Sequence, residues 1–351
     1  MNRIKALEKG KHSLASRLGI LTFQLLILLG SVGFMLVYAS QKTIEISDTQ
    51  PGIENEGSEA LAGCEISPLI LSNDEAEEGR FMIPLGEEIA ADTVIVENRY
   101  AHRELWITIK KADAVYYQNP EVRGNITPVK GGELERRSDG LTLKIRTDGV
   151  YEYKTTLNNG VLTVVFQRPA ELYRTIVVVD TTGDTMEQEQ IVQGVGRKLS
   201  QQFSHEGIKL YFTDLSDSEV TDDMIVRLVK DVEADFFIAL DAERATGEQY
   251  GISGYYNDVY YISGYGNIEV ADALARNITI SSRNKARGLF PSGQDDILSR
   301  LQVPSARVSL GTVNHATEGI LLYREEYQEK LAEGLGNAIM EMHEAIHQNI
   351  E

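Results

Sequence analysis

The sequence predicts an α/β protein: a sheet flanked by helices, preceded by a small antiparallel β-sandwich and by a single N-terminal transmembrane helix. Three observations carry this. An uncharged apolar run extends from Leu18 to Ser40, period-two alternation fills about Cys64 to Pro169, and strands alternate with helices from there to the C-terminus. The chain has 351 residues, 25% of them charged, which suffices for two domains with sizeable cores.

The apolar run LGILTFQLLILLGSVGFMLVYAS has 23 residues, enough to cross a bilayer as a helix. Arg3, Lys5, Lys9, Lys11 and Arg17 precede it against a single Glu8, so the positive-inside bias leaves residues 1–17 in the cytoplasm and the remainder outside. The expected location is therefore the cell membrane, single-pass, with extracytoplasmic C-terminal domains. A signal peptide cleaved after Val37-Tyr38-Ala39 is the alternative, with an unusually long apolar region. Leu61-Ala62-Gly63-Cys64 has the form of a lipoprotein box, but such a box directly follows the apolar segment. Here residues 41–63 intervene as an acidic, Gly- and Pro-containing linker.

A net charge of −19 excludes a nucleic-acid binder that works through phosphate contacts. Cys64 is the only cysteine, which excludes an intrachain disulfide and a cysteine-based zinc site.

Residues 64–170 read as the β-rich domain. Leu105, Ile107 and Ile109 alternate with Trp106 and Thr108, and Leu141, Leu143 and Ile145 with Thr142, Lys144 and Arg146, the pattern of half-buried strands. Asn158-Asn159-Gly160 sits between two such runs as a hairpin turn, because Asn and Gly tolerate positive φ. Residues 171–351 read as the α/β domain, each domain being expected to fold on its own. Strands are expected at TIVVV (175–179), IKLYFT (208–213), DFFIAL (235–240) and ARVSL (306–310). Helices are expected over about 187–203 and from near Thr221, Ile268 and Arg324, with a long loop containing GISGYYNDVYYI.

The order and wording of Thr175 to His347 resemble the zinc-dependent N-acetylmuramoyl-L-alanine amidases, which cut the bond between muramic acid and the stem peptide of peptidoglycan. VPSARVSLGTVNHATEGILLYREEYQEKLAEGL follows that family's pattern of a Pro-led strand, a Gly, an Asn-ended turn and a YQEKLAEG opening of the last helix. NKARGLF and GISGYY fall where the family has a short Arg-Gly turn and a Gly-led strand. The β-rich domain faintly resembles those that precede catalytic domains in some of these amidases.

What the resemblance implies for chemistry is a degenerate member. The family's first strand ends in a motif whose His ligates zinc, and Gly183 stands at that position, within Asp180-Thr181-Thr182-Gly183-Asp184-Thr185. The second ligand, a Glu opening the next helix, falls on Gln188 by the register of Leu199 and Phe203, with Glu187 and Glu189 as neighbouring candidates. The third, a His, falls on Asp241 of Asp241-Ala242-Glu243, and the catalytic Glu falls on Ser309. Zinc hydrolysis needs imidazole or carboxylate ligands that acidify a bound water, and a general base beside it. None of these positions supplies the family's group, so no cofactor is expected. Asp180, Asp184, Glu187, Glu189 and Asp241 form a possible carboxylate cluster or groove, against the plainer reading of helix caps and solvated loops.

His343-Glu344-Ala345-Ile346-His347 matches the H-E-x-x-H signature of zinc peptidases. Only Gln348 to Glu351 follow, leaving no downstream third ligand. The helical stripe of Tyr327, Leu331, Leu335, Ala338, Met342 and Ile346 puts both histidines on the solvent side. His12, His102, His205 and His315 add no motif.

The function expected is thus a membrane-anchored envelope protein whose amidase-like domain binds or regulates in peptidoglycan metabolism. Its partners would be peptidoglycan fragments or another envelope protein. A residual amidase, or a scaffold for other envelope proteins, is the alternative.

Overall fold

The computed structural model describes residues 65–347 apart from 86–88, 111–120, 126, 138–139, 214, 216–219, 247, 260–263 and 295. The cytoplasmic segment 1–17, the apolar run 18–40 and the linker 41–63 lie outside the described residues. Among the described residues no helix is long and apolar enough to cross a membrane.

The first domain is two five-stranded sheets sharing one core. One sheet orders β1 (Glu65–Pro68), β7 (Val129–Arg137), β8 (Gly140–Thr147), β5 (Glu104–Lys110) and β4 (Val94–Arg99). The other orders β2 (Ile70–Glu78), β6 (Glu121–Asn125), β3 (Arg80–Pro84), β10 (Val161–Gln167) and β9 (Glu152–Asn158). Period-two alternation aims Leu105, Ile107, Ile109, Leu143 and Ile145 inward against Phe81, Ile83, Leu162 and Val164. Thr142 is buried as well, its hydroxyl 3.0 Å from that of Thr108 on the neighbouring strand. The β9–β10 turn has Asn159 at φ 48° and Gly160 at φ 70°, two successive positive values that match the twist of the flanking strands. The sandwich is not wholly antiparallel, because β2 and β6 run parallel. Alternation reports which face a residue occupies and carries no sign of strand direction.

The second domain is a six-stranded sheet of order β12 (Ile208–Phe212), β11 (Thr175–Asp180), β13 (Phe236–Glu243), β16 (Ser305–Thr312), β14 (Ile252–Tyr256) and β15 (Ala286–Pro291). The first four of these are mutually parallel. β14 runs antiparallel to β16, and β15 parallel to β14. Helices α2 (Met186–Gln202), α4 (Asn267–Ser282) and α6 (Glu325–His347) cover one face, packing Ile191, Leu274 and Leu335 on Val177, Ile238 and Val308. Helix α3 (Asp222–Asp231) covers part of the other face, packing Ile225 and Leu228 on Val178 and Phe237. Every residue of β11 is buried, as expected of a central strand enclosed on both faces. NKARGLF lies in strand β15 rather than in a short turn, and GISGYY forms strand β14, as the resemblance implied, rather than the start of a long loop.

The domains share a core. Val150, from the end of the sandwich, is 4% exposed and belongs to the apolar cluster under α3, with Tyr100 packed against it and edge-on to Tyr211 at 4.7 Å. The Arg103 guanidinium donates two bonds to Asp231, of 2.6 and 2.7 Å, and the Tyr211 hydroxyl donates to Glu152 at 2.5 Å. The short helix α1 (Pro169–Leu172) joins the domains across this contact.

The final helix supplies a further correction. His343 and His347 are half-buried rather than solvent-facing, because the start of β11 passes alongside the last turn of α6. Both imidazoles contact the Thr175 hydroxyl, His343 Nδ1 at 2.6 Å and His347 Nε2 at 3.0 Å.

Candidate functional site

The C-terminal ends of β11, β13 and β16 converge where an open α/β sheet ordinarily holds its ligand. Asp180 ends β11 with its carboxylate turned inward. It accepts from the Thr182 N–H at 3.1 Å, the Thr182 hydroxyl at 2.9 Å and the Thr213 hydroxyl at 2.7 Å. Burial pushes its carboxyl above the usual range, opposed by those three bonds. Asp180 therefore fastens its own loop to the end of β12.

Gly183 lies against the first turn of α2. A Cβ there would stand 2.7 Å from the Glu189 Cα and 3.0 Å from the Gln188 carbonyl carbon, both rigid helix backbone. The position is closed to any side chain, a histidine included. Thr185 is the N-cap of α2: its oxygen accepts the Gln188 N–H at 3.3 Å while its hydroxyl donates to Gln188 Oε1 at 2.7 Å, a reciprocal cap that holds the Gln188 amide in place. Glu187 pairs with Arg244, and Glu189 accepts from Gln193 Nε2 at 3.2 Å.

Asp241 and Ser309 are directly opposed across β13 and β16, and Ser253 opposes Ser309 from β14. Ser309 is fully buried, its hydroxyl 3.3 Å from the Gly311 carbonyl. Burial raises the Asp241 carboxyl, with Arg307 pulling against it and Glu243 and Asp184 reinforcing it. Asp184 and Asp241 thus face each other electrostatically, while Asp180, Glu187 and Glu189 are engaged elsewhere. Among the described residues no three His, Cys, Asp or Glu side chains come together as metal ligands. The residues present do not fit zinc: glycine has no donor and no room for one, the Gln188 amide is committed to a helix cap, and Asp241 is a single carboxylate.

Residues that sequence reasoning missed occupy the same sheet face. Glu243 accepts from the Tyr255 hydroxyl and pairs with Arg287; burial and that carboxylate push the Tyr255 phenol up to about 12. Arg307 pairs with Asp296 at 2.9 Å, and its guanidinium carbon lies 5.0 Å from the centre of the Tyr255 ring. The available signal was an arginine two residues before Ser309, the one charged residue of its strand, which places both on one face. Chemically this is a lining of guanidinium, phenol and carboxylate groups. It suits hydrogen bonding to a polar ligand.

Residues 179–341 match the family model described as N-acetylmuramoyl-L-alanine amidase. The match lies within the α/β half of the chain. Among solved structures, the catalytic domain of CwlV, an N-acetylmuramoyl-L-alanine amidase from Bacillus (Paenibacillus) polymyxa var. colistinus, is 16% identical with a TM-score of 0.44, covering 49% of this chain and 99% of that one. AmiC2 of Nostoc punctiforme is 19% identical with a TM-score of 0.42, covering 48% and 96%. The CwlD amidase of Clostridioides difficile, solved in complex with the GerS lipoprotein, is 17% identical with a TM-score of 0.40, covering 48% and 98%. No curated protein sequence matches the chain.

Proposed function

We propose that the chain is a single-pass cell-membrane protein, anchored by residues 18–40, whose exported amidase-like domain binds peptidoglycan without hydrolysing it. The observation that carries this is the packing of Gly183 on α2, which leaves no space for a ligand at the position where the resembling family has its first histidine. Ser309, at the position of the family's catalytic Glu, is a buried hydroxyl that offers no carboxylate to act as a general base. Arg307, Arg287, Arg244 and Tyr255 are the groups suited to the carboxylates and hydroxyls of a muropeptide.

The test is to incubate the purified exported part with purified peptidoglycan, with and without added zinc. Co-sedimentation with no release of stem peptides, and far less than one zinc per chain, is expected. EDTA-sensitive release together with about one zinc per chain would establish a residual amidase. Failure to co-sediment would favour a scaffold for other envelope proteins. The anchor is tested separately by protease added to wall-stripped cells, which should remove the exported part; its survival beside a digested external control reverses the topology.

A further inference from the structure

We propose that the histidine cluster at the N-terminal edge of β11 is an acid-released latch. While His343 and His347 are neutral they pin the last turn of α6 to Thr175, and their protonation unpins it. This is independent of what the amidase-like groove binds.

The geometry carries it through hydrogen-bond bookkeeping. Thr175 is fully buried, and its hydroxyl has two imidazole partners, His343 Nδ1 at 2.6 Å and His347 Nε2 at 3.0 Å. A hydroxyl has one proton to donate, so it donates to one bare nitrogen and accepts an N–H from the other ring. That arrangement requires at least one neutral imidazole. If both rings are imidazolium, both nitrogens facing Thr175 are donors, and its own proton loses its acceptor in a place water does not reach. The two cations would also stand with ring centres 4.7 Å apart.

The surrounding charges reinforce the effect on balance. The His205 ring, from the loop after α2, lies 5.4 Å from that of His343, and Arg174 adds a fixed positive charge from the residue before β11. Opposing them are Glu344 on the same helix, acting on His343, and Asp235 before β13, acting on His347; the Asp235 carboxylate already accepts the Ile176 N–H at 2.8 Å. Burial is the largest influence on His343, and with His347, His205 and Arg174 nearby it holds the imidazole below its ordinary value. The sign follows: the latch is intact above the ordinary histidine value and weakens as pH falls from there through the lowered one, because the released state binds more protons. A metal site on these rings is not supported, since two of their nitrogens are committed to Thr175 and no three ligands converge among the described residues.

The latch sits three residues after α1, so its release loosens the first strand where the chain leaves the sandwich.

The test is hydrogen–deuterium exchange on the full chain in lipid nanodiscs at about pH 7.5 and about pH 5.5, corrected for intrinsic exchange. Peptides covering 173–178 and 340–347 should exchange several-fold faster at the lower pH, while 105–109 in the sandwich stays unchanged. In a His343→Gln, His347→Gln double variant the pH contrast in those two peptides should vanish. Equal protection at both pH values, or a contrast that survives in the double variant, overturns the latch. If the double variant fails to fold, imidazole NMR titration of the unaltered chain decides: His343 titrating at or above its ordinary value refutes the proposal, and a depressed titration coupled to Thr175 supports it.

Discussion

The two ends of strand β11 carry opposite arrangements. At its C-terminal end, where an open α/β sheet ordinarily holds its ligand, the loop is packed shut: Asp180 binds Thr182 and Thr213, and Gly183 lies against helix backbone. At its N-terminal end, two imidazoles share one threonine hydroxyl and a third ring, His205, lies beside one of them. The residue type that makes zinc enzymes is present, but at the wrong edge of the sheet and tied to a hydroxyl. Histidine and carboxylate content says little about catalysis until the backbone brings the groups to one point with space for a reacting atom.

The largest effect should come from removing the sandwich. Because Val150 and Tyr100 complete the apolar cluster beneath α3, a fragment of residues 172–351 should melt without a cooperative transition, whereas residues 65–351 should melt cooperatively. Equal transitions in calorimetry would show that the histidine end of β11 needs no support from the first domain.

Next comes Gly183→His, which forces a side chain into helix backbone. A loss of about 3 kcal/mol in urea denaturation is expected, at the upper end for overpacking. Combining it with Gln188→Glu, Asp241→His and Ser309→Glu should still not yield one zinc per chain by metal analysis. A stable quadruple variant that binds zinc tightly would mean the closed end can reopen, and the contrast between the two ends would fail.

Thr175→Val removes the partner shared by His343 and His347. Near neutral pH it should cost about 2 kcal/mol, the penalty for half-buried polar groups left unmatched, while Thr175→Ser should restore most of it. The smallest effect is expected for Thr185→Ala, about 1 kcal/mol for a lost N-cap. If Thr185→Ala costs more than Thr175→Val in the same denaturation series, the ranking of the two ends is inverted.

Much of the architecture was legible beforehand for identifiable reasons. Alternation at Leu105 to Ile109 fixed an inward face, Asn159-Gly160 fixed a hairpin, and Thr185 and Thr221 mark helix starts through their side-chain caps. Strand β15 escaped notice because Arg287, Gly288 and Pro291 lack a buried alternation, as befits an edge strand with most of its residues partly exposed. The ends of β11, β13 and β16, with Asp180, Gly183, Asp241 and Ser309, were legible as a place to look. Its present lining was not, because Arg287, Tyr255, Glu243 and Arg307 come from four strands.

By itself the sequence determined the succession of strands and helices and the apolar faces, since these depend on residue type and on spacing within one element. Only the tertiary structure decided that β2 and β6 run parallel, that Val150 belongs to the core of the other domain, that Gly183 has no room for a side chain, and that His343 meets Thr175. The last pair are 168 residues apart. Their contact follows from the path of the chain through the whole sheet, and a period read along one helix contains no information about which strand will lie beside its final turn.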